Sequence, residues 1–136
     1  MRPVITLVVC AVMVGCGGGT MNAPSGSANF TGTWQFTGTS TSFGLTFTGN
    51  GSLQQSGNSV TGQLTLSGSP CATTAALSGT ANGTAFTFQL QEGSQPVSFA
   101  GNADSSFSSA SGNYTAPSGG CLNGDVGTWT ATRVSS

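Results

Sequence analysis

The stretch Leu77–Leu90, LSGTANGTAFTFQL, decides the fold. At its centre, Asn82-Gly83 is a strongly favoured pair for a two-residue hairpin turn, where the central residues adopt positive φ. Beyond the turn, Phe86, Phe88 and Leu90 alternate with Thr87 and Gln89. Before it, Leu77 and Gly79 alternate with Ser78 and Thr80. A period of two sends successive side chains to opposite faces of a strand. The stretch therefore predicts two antiparallel strands with one apolar face and one hydroxyl-rich face.

The same period runs outward in both directions. Upstream, Val60, Gly62, Leu64 and Leu66 alternate with Thr61, Gln63 and Thr65. Phe43, Leu45 and Phe47 begin a further strand, which reaches Leu53 after an expected bulge at Gly49-Asn50-Gly51. Phe30, Gly32, Trp34 and Phe36 share one face of the first strand. Downstream come Val97, Phe99 and Gly101, then Ala110, Gly112 and Tyr114, then Gly127, Trp129, Ala131 and Arg133. That makes eight strands in about 105 residues, with short connections and no helical period. The fold class predicted is all-β: an eight-stranded antiparallel up-and-down meander barrel, with a β-sandwich as the alternative.

Two features of the inward face each admit two readings. Gly62, Gly79, Gly101 and Gly112 point inward, either to let a small barrel bend sharply or to leave room inside. The inward aromatics are Phe30, Trp34, Phe36, Phe43, Phe47, Phe86, Phe88, Phe99, Tyr114 and Trp129. They either fill the core or line a pocket for one small apolar ligand, since eight strands permit both.

Composition excludes several functions. The charged residues are Arg2, Glu92, Asp104, Asp125 and Arg133, for a net charge of −1, and there is no His. Two basic residues cannot neutralise a phosphate backbone, so nucleic acid is excluded as a partner. A His-dependent triad or a His-ligated metal is impossible. Glu92 and Asp125 are expected at one end of the barrel as solvated loop carboxylates, and Asp104 at the other end. No Ser has a general base supplied by a motif, and no Gly-rich stretch opens a helix. The expectation is a non-catalytic protein with no cofactor and no metal, holding a small apolar ligand in the barrel, or alternatively a structural or adhesive surface module with a filled core.

The N-terminus reads as an address. Val4–Val14, VITLVVCAVMV, is too short to span a bilayer, which takes ~20 residues, but has the length of a signal-peptide apolar region. It ends in Met13-Val14-Gly15-Cys16, which resembles a bacterial lipobox. The resemblance implies cleavage before Cys16, lipidation of its thiol, and attachment to the membrane. Gly17 after the Cys, rather than Asp, permits by the same resemblance an outer-membrane destination in the bacterial envelope. Residues 1–15 are then a signal peptide, 16–29 a lipidated Cys and Gly/Ser tether, and 30–136 the β domain. A tether of 13 residues gives a reach of roughly 20 Å.

Of four Cys, Cys10 leaves with the leader and Cys16 takes lipid on that reading, so Cys71 and Cys121 remain to pair. Export would place them in an oxidising compartment. In a meander, both fall in connections at the same end, as a bridge requires. The bridge would cross the mouth of a barrel; a sandwich could bring the two together as well.

Gly32-Thr33-Trp34 opens the first strand and Arg133 closes the last. This resembles the calycin pattern of lipocalins and, in part, avidins. The resemblance implies that Trp34 packs under Arg133 as a barrel-closing pair. It departs from lipocalins in having no C-terminal helix. It departs from avidins in placing Ser111-Gly112-Asn113-Tyr114-Thr115-Ala116 in the seventh strand and in having only Trp34 and Trp129. No ligand is carried over. The whole chain is also similar to small bacterial lipoproteins with a Cys-Gly-Gly-Gly start and a Thr/Ser/Gly-rich β domain.

Overall fold

The computed structural model describes residues 29–136, so the expected leader, the lipobox-like stretch and Cys16 lie outside the described residues. The strands are β1 (Gly32–Ser40), β2 (Thr46–Ser56), β3 (Ser59–Ser67), β4 (Thr74–Asn82), β5 (Ala85–Glu92), β6 (Gln95–Ala103), β7 (Ser109–Thr115) and β8 (Val126–Ser135). Each pairs antiparallel with the next, and β8 returns to β1, so the sheet is a closed barrel in meander order. Closure decides against the sandwich and leaves no free strand edge.

Connections β1–β2, β3–β4, β5–β6 and β7–β8 lie at one end, termed the mouth. The chain enters at the other end, the base. Inward side chains are apolar and outward ones are Thr, Ser, Gln and Asn along nearly every strand. This polarity is the inverse of a membrane-spanning barrel, whose outer wall carries an apolar band.

Three expectations fail at the β1–β2 hairpin. β2 begins at Thr46, and Phe43 and Leu45 lie ahead of it in the turn, 57% and 40% exposed. The turn bends at Gly44, with φ of 67°, so Phe43 falls outside the strand's alternation. No bulge interrupts Gly49-Asn50-Gly51, because β2 keeps an unbroken register with both neighbours. Gly49 and Gly51 instead share the inward parity of Phe47 and Leu53. The register shift lies elsewhere, between Thr33 and Trp34 in the β1–β8 pair.

At the base, the chain before β1 folds under the barrel. Phe30 is buried, its N–H donates to Gln55 Oε1 at 3.0 Å, and its carbonyl accepts from Trp34 Nε1 at 2.8 Å. Trp34 is the register partner of Arg133, whose guanidinium carbon lies 5.1 Å from the indole centroid. Arg133 also donates to the Asn29 carbonyl, which ties the entering chain to the last strand. Burial works against the Arg133 charge, and Asp104 favours it.

Asp104 organises the β6–β7 turn. Its carboxylate accepts from the Ser108 N–H at 2.8 Å, the Ser109 N–H at 3.2 Å, and the Ser106 and Ser108 hydroxyls. These donors hold it well below the usual carboxylate range. The ordered turn sets Phe107 at a positive φ of 54° and buries its ring against Phe30, a core contact that strand periodicity does not reveal.

Candidate functional site

Two regions answer to the expected site residues: the lumen and the mouth. In the lumen, strand register stacks rings across three strands. Phe86 and Phe88 share the inner face of β5, Phe99 sits opposite Phe88 on β6, and Tyr114 opposite Phe99 on β7. Ring centroids follow at 4.3 Å for Phe30–Phe86, 4.6 Å for Phe86–Phe88, 4.6 Å for Phe88–Phe99 and 5.3 Å for Phe99–Tyr114. The ladder runs from base to mouth. Trp129 meets Phe88 edge-on at 5.3 Å, Phe36 meets it at 5.7 Å, and Phe47 meets Tyr114 at 5.6 Å. Such pairs add ~0.5–1.5 kcal/mol each beyond area burial.

The inward glycines make room for these rings. A Cβ at Gly38 would lie 2.1 Å from Phe47 Cζ, one at Gly127 2.5 Å from Tyr114 Cε1, and one at Gly101 2.8 Å from Trp129 Cζ2. At these three positions the space that glycine leaves is occupied by aromatic carbon, whereas a Cβ at Gly62, Gly79 or Gly112 would lie 2.6, 2.2 or 1.9 Å from a backbone carbonyl oxygen of the adjacent strand. Every expected lining residue, Trp34, Phe36, Phe47, Phe86, Phe88, Phe99, Tyr114 and Trp129, is at most 7% exposed.

The mouth holds the polar chemistry. Asp125, 1% exposed, accepts from Ser40 Oγ at 2.6 Å and from Tyr114 Oη at 2.7 Å. It thereby ties the ends of β1, β7 and β8 together. Ser40 Oγ also accepts from the Phe43 N–H at 2.9 Å. Burial, and then Asp125, push the Tyr114 phenol above its usual range, so it stays a donor. Glu92, the last residue of β5, is 2% exposed, and neither of its oxygens has a hydrogen bond of good geometry. Burial raises its pKa, and the Ser69 hydroxyl on the β3–β4 connection offsets this only in part.

Glu92 and Asp125 are thus not solvated loop carboxylates. The mouth is capped above them. Cys71 in the β3–β4 connection and Cys121 in the β7–β8 connection form a disulfide, with Cα atoms 5.7 Å apart. Cys121 Cβ sits 3.8 Å from where a Cβ on Gly93 would be, so the bridge rests on the β5–β6 turn beside Glu92. Leu122 turns inward and is buried beneath it. Ser40, Ser69 and Leu122 are parts of this arrangement that sequence reading overlooked. Glu92 and Asp125 carried a usable signal: each extends the inward parity of its strand, 86-88-90-92 and 125-127-129-131.

The raised pKa of Glu92 has a defined consequence. As pH rises through the ordinary carboxyl range, the unfolded chain releases this proton before the folded one does, so stability falls until the raised folded value is passed. Glu92→Gln removes that dependence. Its urea midpoint should exceed that of the parent at about pH 8 and match it at about pH 4. Asp104 titrates identically in both proteins, so the difference isolates Glu92. An equal midpoint at both pH values would show that the Glu92 carboxyl is already solvated.

Among the described residues, no three His, Cys, Asp or Glu side chains come together. A scan against protein-family models and a search of curated proteins give no match to this chain.

Proposed function

We propose that this chain is a lipid-anchored protein of the bacterial cell envelope. Its barrel is a non-catalytic module with a solid core, acting through its outer wall and loops. The observation that carries this reading is the filled lumen. A small apolar ligand would have to displace the Phe88–Phe99 stack and its edge-on neighbours, which already bury the apolar surface such a ligand would cover. The disulfide is consistent with an exported, oxidising setting. Anchoring rests on the lipobox-like Met13-Val14-Gly15-Cys16, and the outer membrane on Gly17 after it.

The test is the intact mass and fractionation of the full chain expressed in a Gram-negative host. The mature protein should begin at Cys16, carry acyl mass there, and sediment with membranes, since each buried CH₂ contributes ~0.8 kcal/mol. Cys16→Ser should lose that mass and leave the membrane fraction. Membrane attachment that survives Cys16→Ser would overturn the anchor. A reproducible non-covalent apolar cargo, released on denaturation, would overturn the solid-core reading and favour a carrier.

A further inference from the structure

The mouth sets a buried carboxyl beneath a cover that is packed in place. Glu92 is 2% exposed, and neither of its oxygens has a hydrogen-bond partner of good geometry. Two connections lie over it, residues 68–73 between β3 and β4 and residues 116–125 between β7 and β8, joined by the Cys71–Cys121 bridge.

The hydrogen bonds of these connections close on themselves. In the first, the Leu66 N–H donates to the Thr73 carbonyl at 2.7 Å and the Cys71 N–H to Ser69 Oγ at 3.2 Å. In the second, the Asn123 N–H donates to the Gly120 carbonyl at 3.1 Å, and the Asp125 N–H to the Leu122 carbonyl at 2.9 Å. None of these bonds crosses to the β5–β6 turn, where Glu92 sits. The buried Leu122 side chain and the close approach of Gly120 to the Gln95 side chain seat the cover on the barrel. Packing of this kind can be undone without breaking the wall's hydrogen bonds.

The cover also has points to turn about. Gly68 follows β3 at a φ of 81°, and Gly124 precedes Asp125 at a φ of 79°. Asp125 is fixed by Ser40 and Tyr114, whereas a Cβ on Gly124 would meet nothing within 4 Å. Hinges are a few loop residues of this sort, which absorb a change in backbone angles.

The charge on Glu92 decides whether the cover can stay. A protonated carboxyl can be buried, but an ionised one needs water or a counter-charge. Arg133, the one basic residue among the described residues, is at the base over Trp34, and Asp104 is at that end too. The groups that face Glu92 are Ser69 from the cover, Tyr114 from β7 and, bonded to Tyr114, Asp125; its register partner Gln95 is uncharged. None of them supplies positive charge, and the one donor that favours the carboxylate, Ser69, rides on the cover itself.

We propose that the two bridged connections form a pH-gated cap, which lifts from the mouth as one unit when Glu92 ionises and reseats when it is protonated. The closed form holds this proton more tightly than a form in which water reaches the carboxyl, so rising pH shifts the population toward the open form. Lifting unseats Leu122 and uncovers the Tyr114 end of the aromatic ladder, while the rings below keep their packing. The inference goes beyond the solid-core reading of the barrel and does not depend on the anchor.

The test is hydroxyl-radical footprinting of the full, oxidised chain in detergent micelles, read by mass spectrometry at about pH 5 and about pH 8. Labelling of Leu122, relative to the exposed Phe43, should rise about fivefold or more between the two. Phe88, at the centre of the ladder, should stay protected at both. Glu92→Gln should keep Leu122 protected throughout. Ser69→Ala removes a donor that favours the ionised carboxyl, so the midpoint of the rise should move to higher pH. Equal labelling of Leu122 at both pH values would overturn the inference. So would a rise that survives in Glu92→Gln, which assigns it to another group, or a Phe88 signal rising in step, which means the whole barrel loosens. If Glu92→Gln does not fold, Ser69→Ala decides alone: an unmoved midpoint rejects the gate.

Discussion

Phe88→Ala is expected to destabilise the barrel by about 3–5 kcal/mol, the range for removing a buried Phe from a core that cannot collapse around the gap. Phe88 is the centre of the ladder, stacked on Phe86 and Phe99 and met edge-on by Phe36 and Trp129. Closure by hydrogen bonds all round the barrel prevents the wall from moving in to fill the void. Against a total of about 5–15 kcal/mol for a domain of this size, the loss is a large share. The thermal midpoint should fall by roughly 15–30 °C. Thr87→Ser, one residue away on the outer wall, should change stability by less than about 0.5 kcal/mol. A loss at Phe88→Ala below about 1.5 kcal/mol would mean that the lumen has slack, and with it room for a ligand.

Removing the disulfide as Cys71→Ser with Cys121→Ser should cost about 4 kcal/mol. The bridge closes 50 residues, and most of its effect is the entropy it withholds from the unfolded chain. The slope of the urea transition should also rise, because the uncrosslinked chain exposes more surface when unfolded. Reduction by dithiothreitol should give the same change, since Cys121 lies at the surface. A second effect follows from the cap. With the β3–β4 and β7–β8 connections no longer tied, Glu92 should gain water and lose much of its upward pKa displacement. The stability of the double variant should therefore vary less with pH than that of the parent. An unchanged urea midpoint would show that the bridge withholds little entropy from the unfolded chain, and an unchanged pH dependence that the loops keep Glu92 buried without it.

What could be read in advance, and what could not, divides along physical lines. The alternation in Val60–Leu66 and in Phe86–Leu90 is set by the chain's own pleat, so inward and outward sets were legible residue by residue. The meander follows from short connections; Cys71 and Cys121 are expected to pair as the two Cys left over by the leader and lipobox reading, and the parity of their connections agrees with the bridge. Phe43 shows where alternation misleads: it has the right spacing but lies in a turn that bends at Gly44. Phe107 is the converse, a core ring carried on a turn at positive φ, outside any strand period. Glu92 was misjudged because a carboxylate at a strand end is usually solvated, although its parity pointed inward.

Within the strands, the sequence alone therefore determines which side chains face in and which face out, because that depends only on neighbours along the chain. Whether the inward set leaves a void was decided in three dimensions. It depends on which ring meets which glycine across the sheet, as Phe47 meets Gly38 and Trp129 meets Gly101. The burial of Glu92 and Asp125 was likewise a tertiary outcome, because two loops distant in sequence close over them under one disulfide.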